Sequence, residues 1–343
     1  PTRYPGTQWP LLHEQPTSQY GDADDNPGEP ALPGWGRVFP HPYGPADGKM
    51  FTTLLTLSPA GDELTLDFAL ELMENEELGK DEVTDYLAIS FSSTDYVGHI
   101  FGPSSLEAED NLLRLDRTIA RLLTALDARV GLDNTIIVLS SDHGGPEAPG
   151  ALSELGLRSD YVQPESWDRA PAIAALKQRF GLAEELIDQY FHPYLYLNRE
   201  LIAAKGLDQG EVEQAVAEVL TDFDGVALAV SSSALRSGNL PDTPILRSVL
   251  NNFNPQRSGD IYVVFEAHRF INDFDGLVVA CTHGSPWSYD TYVPVIFAVP
   301  EVAARTSYRR ISPLDIAPTL AALVGAKPPS GAEGSPLLEI MEP

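Results

Sequence analysis

The chain has 343 residues, 43% of them hydrophobic, so it can form one large domain or two smaller ones around a sizeable core. Its 22 basic and 50 acidic residues give a formal net charge of −28. Such a charge argues against a nucleic-acid or anionic-lipid surface, because long-range repulsion would oppose both. The single cysteine, Cys281, rules out an internal disulfide, and no run of about 18 apolar residues is present to span a membrane.

The first fifty residues contain ten prolines and several aromatic residues. Proline disfavours regular helix and aromatic side chains favour packing, so we expect an irregular but packed segment over residues 1–50. Apolar residues at helical spacing predict a helix over residues 67–78. The continuous apolar run over residues 86–91 predicts a strand that is buried on both faces.

The most regular stretch extends from Ser105 to Val130, where leucine and isoleucine recur every three or four residues. This spacing predicts an amphipathic helix, with a capping box formed by Ser104 and Glu107 and a terminating Gly131. The β-branched run over residues 135–141 predicts the next strand. The order strand, helix, strand is typical of a parallel α/β sheet.

The pattern changes over residues 156–268, which we interpret as a small α+β insertion. It contains predicted helices over residues 171–180 and 209–220 and predicted strands over residues 194–197, 225–230 and 260–265. After it we predict strands over residues 276–281 and 292–298 and a final helix over residues 314–324.

Five acidic and histidine residues follow predicted strands: Asp95, His99, Asp142, His143 and His283. Carboxylate oxygen and imidazole nitrogen are ligands that zinc accepts, and open α/β sheets place their active sites at strand ends. Each residue also has a simpler interpretation. Asp95 could cap a helix, Asp142 and His143 could form a surface turn, and His283 could be a core histidine. Together they favour a metal-dependent hydrolase.

The remaining histidines, His13, His41, His192 and His268, lack neighbouring carboxylates in such loops, so we expect structural roles for them. His41 could alternatively line a substrate entrance. Signatures of nucleotide-binding loops, zincins and serine esterases are absent from the sequence.

Four segments carry a resemblance to a known family: SFSSTDYVGHIFGPSSLEAEDNLLRLD, VLSSDHGG, THGSPWSYDTYVP and SPLDIAPTLAALVG. They resemble the alkaline phosphatase superfamily, most closely the phosphate-irrepressible alkaline phosphatases related to nucleotide pyrophosphatases and phosphodiesterases. The resemblance implies a three-layer α/β/α sandwich with a mostly parallel sheet and a small α+β insertion. We therefore expect a catalytic core over residues 51–155 and 269–343, interrupted by a cap-like insertion over residues 156–268.

The resemblance also implies two zinc ions in the intact enzyme. Asp95, His99 and His283 correspond to the ligands of one Zn²⁺, and Asp142 and His143 correspond to ligands of the other. The family's further aspartate ligand, its threonine or serine nucleophile and its phosphoryl-binding residues have no counterpart here, and Thr94 matches no family role. The chain also begins with Pro1 and has no secretory signal pattern, so we expect the C-terminal portion of a longer enzyme.

The implied reaction is phosphoester hydrolysis through a phospho-enzyme, with monoesters favoured and a small phosphoester as substrate. Without the nucleophile, this chain alone should be nearly inactive. A phosphodiesterase, sulfatase, phosphonate hydrolase or phosphoglycerate mutase relative is an alternative, as is a non-catalytic metal-stabilised fragment. The resemblance suggests a periplasmic or secreted location, and the sequence leaves the oligomeric state open.

Overall fold

A computed structural model describes residues 3–13, 23–26, 28–274 and 276–341 of the chain. Its internal contacts divide the chain into two compact units. The first comprises Pro1–Asn26, Ala31–Gly144 and Tyr292–Pro343, and the second comprises Pro27–Pro30 and Gly145–Thr291. Within the described part of the chain, every helix is too short or too polar to span a bilayer.

The first unit is mainly helical. Its α-helices are Phe51–Thr56, Pro59–Asn75, Ser93–Phe101, Leu106–Arg129 and Ile316–Leu323, and its short 3₁₀ helices are Leu132–Asn134, Pro313–Asp315 and Leu338–Ile340. Its strands are Gln8–Trp9, His41–Pro42, Ile137–Ser140 and Val295–Ala298.

The long helix Leu106–Arg129 confirms the prediction from hydrophobic spacing. Ser105 caps its N-terminus, because the Ser105 side chain accepts a hydrogen bond from the Ala108 N–H. The capping box predicted from Ser104 and Glu107 is wrong, because the Glu107 carboxylate is buried against His41. The helix therefore begins one residue later than the sequence pattern indicated.

The predicted strand before Asp142 is present as Ile137–Ser140 and pairs antiparallel with Val295–Ala298. The strand predicted over residues 86–91 is wrong, since this segment has no strand assignment and the Tyr86 side chain is 79% exposed. An extended segment becomes a strand only when a neighbour satisfies its backbone hydrogen bonds, and none of the described strands pairs with it.

A histidine and a glutamate, both fully buried, form a pair in the aromatic core of the first unit. His41 Nε2 lies 2.9 Å from Glu107 Oε1, and the rings of Trp9, Trp35 and Phe101 surround the imidazole with centroids 4.9 to 5.4 Å away. Burial lowers the pKa of His41 to about 4 and raises the pKa of Glu107 to about 8, because it disfavours both charged forms. His41 is thus a core residue and does not line a substrate entrance.

The second unit combines helices with an antiparallel sheet. Its α-helices are Pro149–Glu154, Pro171–Phe180, Arg199–Ala204, Gln209–Thr221, Ser232–Ser237, Pro244–Asn252 and Ser288–Thr291, with a 3₁₀ helix at Pro164–Arg169. Its strands are Asp160–Tyr161, Ile187–Phe191, Tyr194–Leu197, Val226–Ser231, Ile261–Phe265, Arg269–Phe270, Asp273–Phe274 and Leu277–Val278.

Four of these strands form one sheet in the order Ile187–Phe191, Tyr194–Leu197, Ile261–Phe265, Val226–Ser231, with every neighbouring pair antiparallel. Asp160–Tyr161 and Arg269–Phe270 form a separate parallel pair. The main core packs on this sheet and includes fully buried apolar residues, among them Ile173, Leu186, Leu195, Val212, Val216, Leu220 and Ile261.

The structure confirms the helices and strands that the sequence predicted between residues 171 and 265, with bounds that differ by at most one residue. The strand predicted over residues 276–281 is largely wrong, because only Leu277–Val278 is a strand. Ala280 and Cys281 are nevertheless buried, so the apolar run correctly predicts burial but not strand pairing.

Candidate metal centre

Asp95 and His99 lie on the helix Ser93–Phe101, one turn apart, so both side chains project from the same face. Asp95 Oδ2 lies 3.4 Å from His99 Nε2. The sequence placed these residues in a loop after a strand; they are instead in a helix, whose i,i+4 spacing brings the two ligand atoms together.

The beginning of this helix is fixed by Asp62, which lies on the preceding helix Pro59–Asn75 and is 2% exposed. The Ser93 N–H donates to Asp62 Oδ1 at 3.0 Å, and the Thr94 hydroxyl donates to Asp62 Oδ2 at 3.3 Å. Thr94 Oγ1 also accepts from Asn111 Nδ2 at 2.9 Å. Thr94 therefore holds the helix that carries Asp95, which agrees with its lack of any family role.

His143 follows the strand Ile137–Ser140 and lies near Asp95 and Asp142. Its Nε2 atom is 3.6 Å from Asp142 Oδ2 and 3.9 Å from Asp95 Oδ1. Its Nδ1 atom is 2.8 Å from the Gly144 carbonyl oxygen. Since a carbonyl oxygen only accepts, Nδ1 carries a hydrogen, and in the neutral ring Nε2 has the lone pair that could bind a metal ion.

The distances in this cluster fit metal ligands better than direct hydrogen bonds. Around a tetrahedral zinc ion with bonds of about 2.0 to 2.1 Å, neighbouring ligand atoms are about 3.3 Å apart. Asp95 Oδ2 and His99 Nε2 are 3.4 Å apart, and Asp142 Oδ2 and His143 Nε2 are 3.6 Å apart. Asp95 directs one oxygen toward each imidazole. The cluster, made of Asp95, His99, Asp142 and His143, thus has the donor types and spacing that suit divalent cations.

His283 lies in the second unit, in the turn before the helix Ser288–Thr291. The next residue, Gly284, has a backbone φ of +100°, which side chains other than glycine rarely tolerate. Ser285 anchors the turn, because its N–H and hydroxyl both donate to Asp290 Oδ2, at 2.7 and 2.5 Å. Burial raises the pKa of Asp290, and the nearby His283 acts against this shift.

His192 lies beside this turn and was not selected from the sequence as a site residue. Its Nδ1 atom is 2.8 Å from the Tyr190 hydroxyl, and its ring stacks on Phe265 with a centroid distance of 5.7 Å. Burial, and then the charge of His283, lowers the pKa of His192 to about 4, so the ring is neutral at neutral pH.

His41 belongs to the buried pair described above, and the His268 ring packs on Tyr289 with a centroid distance of 5.1 Å. The free thiol of Cys281 is buried.

The sequence of the chain also matches a known protein family. Residues 19–286 match the sequence model of the type I phosphodiesterase / nucleotide pyrophosphatase family. The chain belongs to this family. Because the match covers most of the chain, it includes Asp95, His99, Asp142, His143 and His283.

Similar curated proteins include two bacterial relatives. One from Myroides odoratus, named a calcium-transporting ATPase, is 36% identical over 338 residues, which are 97% of this chain and 61% of that protein. Alkaline phosphatase PafA from Elizabethkingia meningoseptica is 32% identical over 309 residues, which are 89% of this chain and 54% of PafA. The chain thus spans less than two thirds of these relatives.

The crystal structure of wild-type PafA superposes with a TM-score of 0.85 at 30% identity, over 98% of this chain and 63% of that one. This match confirms the alkaline-phosphatase-like α/β fold class predicted from the sequence. The family and the relatives named alkaline phosphatases are phosphoester hydrolases.

Proposed function

We propose that this chain is the metal-binding part of a zinc-dependent phosphoester hydrolase of the alkaline phosphatase type. It would act on phosphomonoesters through a phospho-enzyme, and the proposal assigns no nucleophile within this chain. The observation that carries it is the spacing of Asp95, His99, Asp142 and His143 in a chain with the PafA fold.

In this proposal Asp95, His99 and His283 hold one Zn²⁺, and Asp142 and His143 contribute to a second. Three protein ligands with an open fourth position are the usual arrangement of a catalytic zinc site, whereas two ligands should bind more weakly. A divalent ion bound there would supply positive charge and Lewis acidity to the phosphoryl group.

Electrostatics give a reason for the metal requirement. The chain carries a formal net charge of −28, and the cluster contributes two carboxylates, Asp95 and Asp142. A phosphate dianion would be repelled from this cluster if no cation were bound. The carboxylates attract the cation, and the imidazole nitrogens orient it without adding negative charge. Phosphate binding to this chain should therefore depend on zinc.

Zinc titration of the purified chain tests the ligand assignment. We expect one tight site and one weak site, so that the stoichiometry of tight binding is nearer one than two. Asp95→Ala and His283→Ala should each abolish tight binding, while Asp142→Ala should remove only the weak site. The exposed His13 offers a matched control, since His13→Ala should leave both sites unchanged.

Two results would contradict this assignment. One is tight zinc binding that survives Asp95→Ala, and the other is two equally tight ions in the unsubstituted chain. Either would show that the ions are held by other residues.

The activity itself is tested on a longer version of the protein, of about the same length as its relatives. We expect zinc-dependent hydrolysis of p-nitrophenyl phosphate, faster than that of bis(p-nitrophenyl) phosphate, and its loss in Asp142→Ala. Faster hydrolysis of the diester or of a sulfate ester would favour a phosphodiesterase or a sulfatase. Activity unchanged by Asp142→Ala would refute the enzyme proposal.

The remaining expectations are also proposals. The substrate is a small phosphoester and not a nucleic acid, and the location is periplasmic or secreted, as the resemblance suggests. We further propose that residues 51–155 and 269–343 form the catalytic core, with residues 1–50 as a connecting segment and residues 156–268 as a cap-like insertion.

A further inference from the structure

A cleft opens beside His283 within the second unit. Its walls include the aromatic residues Phe265 and Trp287, together with His192 and Arg269. Because His283 is a ligand in the proposed zinc site, a molecule bound at that zinc would have its neighbouring atoms next to this cleft. The reasoning below therefore rests on the proposed function.

The charge of the cleft does not suit a phosphoryl group. The side chain of Arg269 is 5% exposed and lies 3.1 Å from Asp224, 3.8 Å from Asp160 and 3.8 Å from Glu266. Three carboxylates thus compensate its single positive charge. The other walls are mostly apolar or aromatic, so the cleft suits an uncharged organic group better than a phosphate.

His192 contributes a hydrogen-bonding atom to this cleft. Its Nδ1 is engaged by the Tyr190 hydroxyl, whereas its Nε2 has no hydrogen-bond partner among the described residues. A Cβ atom built on Gly284 would lie 3.4 Å from this Nε2, so the Nε2 edge of the ring lies against the turn that carries His283. Glycine at this position keeps space around that edge.

The hydrogen-bonding role of Nε2 follows from Tyr190. The Tyr190 hydroxyl has no other partner among the described residues, so its hydrogen is satisfied only when it donates to His192 Nδ1. Nδ1 is then the acceptor, and the ring hydrogen is on Nε2. His192 therefore presents an N–H donor to the cleft.

We propose that His192 is a specificity-determining residue, which donates from Nε2 to an oxygen on the organic group of a phosphoester whose phosphoryl group lies at the His283 zinc. The substrate class is an ester with an oxygen-bearing organic group, such as a sugar phosphate. Phe265 and Trp287 would form the apolar walls around this group. The phosphoryl group remains outside the cleft.

The test compares three probes that bind to the zinc-loaded chain without turnover: ribose 5-phosphate, phenyl phosphate and inorganic phosphate. His192→Phe keeps the ring stacked on Phe265 but removes the donor. We expect it to raise the Kd of ribose 5-phosphate about five- to tenfold, the range for one lost hydrogen bond, and to leave the other two probes unchanged.

Two further variants separate this role from a structural one. His192→Gln places an amide donor near the position of Nε2 and should restore part of the affinity, whereas Tyr190→Phe removes only the group that fixes the ring hydrogen and should weaken ribose 5-phosphate binding. His268→Phe is the matched control, because His268 also packs on a tyrosine ring but does not line the cleft. It should change none of the three affinities.

The proposal is overturned if His192→Phe binds ribose 5-phosphate as tightly as the unsubstituted chain does. It is also overturned if this variant weakens all three probes equally, since His192 would then act on the phosphoryl group or the zinc. Failure of the unsubstituted chain to bind zinc or inorganic phosphate would instead refute the proposed function, and the two failures are therefore distinguishable.

Discussion

Replacing the buried Glu107 with glutamine should change how the stability of the chain depends on pH. The carboxyl group is fully buried beside His41, and burial raises its pKa from the usual 4.5 to about 8. The unfolded chain releases this proton near pH 4.5, but the folded chain retains it until about pH 8. The contribution of Glu107 to the stability is therefore fully present below its pKa in the unfolded chain. It is lost as the pH rises through its pKa in the folded chain.

The size of the effect follows from the two pKa values. A rise from 4.5 to about 8 corresponds to a loss of about 5 kcal/mol in unfolding free energy between these pH values, at about 1.4 kcal/mol per pH unit. Glutamine has nearly the same shape and does not titrate. The unfolding free energy of Glu107→Gln should thus be within about 1 kcal/mol of that of the unsubstituted chain at pH 5. At pH 8 the variant should be the more stable protein.

Urea unfolding at several pH values measures this difference. Tryptophan fluorescence is a suitable signal, because the rings of Trp9 and Trp35 lie 5.4 and 4.9 Å from the His41 ring. Subtracting the unfolding free energies of the two proteins at each pH removes the contribution of all other titrating groups. Glu82→Gln, at an exposed position, is the control and should give no pH-dependent difference. A constant difference between Glu107→Gln and the unsubstituted chain from pH 5 to 8 would refute the reasoning.

Three further substitutions test the packing of the two units and of the turn that carries His283. Asp62→Ala should lower the unfolding free energy by about 2 to 3 kcal/mol in urea titrations, because two buried hydrogen bonds to the start of the ligand-bearing helix are lost. Asp62→Asn should lower it less, and an equal decrease in the two variants would contradict this role of Asp62. Leu186→Ala in the fully buried core should cost about 2 to 5 kcal/mol by the same measurement, and a cost below 1 kcal/mol would show that the core is loosely packed. Gly284→Ala should lower the unfolding free energy by about 1 to 2 kcal/mol, because a φ of +100° is strained for alanine. It should also weaken zinc binding. Unchanged zinc affinity would show that the position of His283 does not depend on this turn.

Local sequence patterns account for most of the secondary structure. Helix spacing predicted Leu106–Arg129 and Gln209–Thr221 almost to the residue, because amphipathic periodicity depends only on which side of a helix is buried. The strand prediction over residues 86–91 failed because it depended on a feature that is not local. Strand formation requires a hydrogen-bonded neighbour, which a single run of apolar residues does not specify.

The sequence also selected the residues of the proposed metal centre, since an aspartate and a histidine four residues apart and a DHG segment after a strand are local features. It did not identify Asp62 as the residue that fixes the ligand-bearing helix. The contact between Asp62 and Ser93 joins residues 31 positions apart, and a carboxylate within a helix has no local signal for such a role.

The amino-acid sequence by itself determined the composition, the amphipathic helices and the set of candidate ligands, because these depend on residue type and short-range spacing. Only the tertiary structure decided that His41 is a core residue paired with Glu107 and that His192 faces the cleft beside His283. Each of these roles depends on which distant residues surround an imidazole, and that environment sets its hydrogen bonds and its pKa.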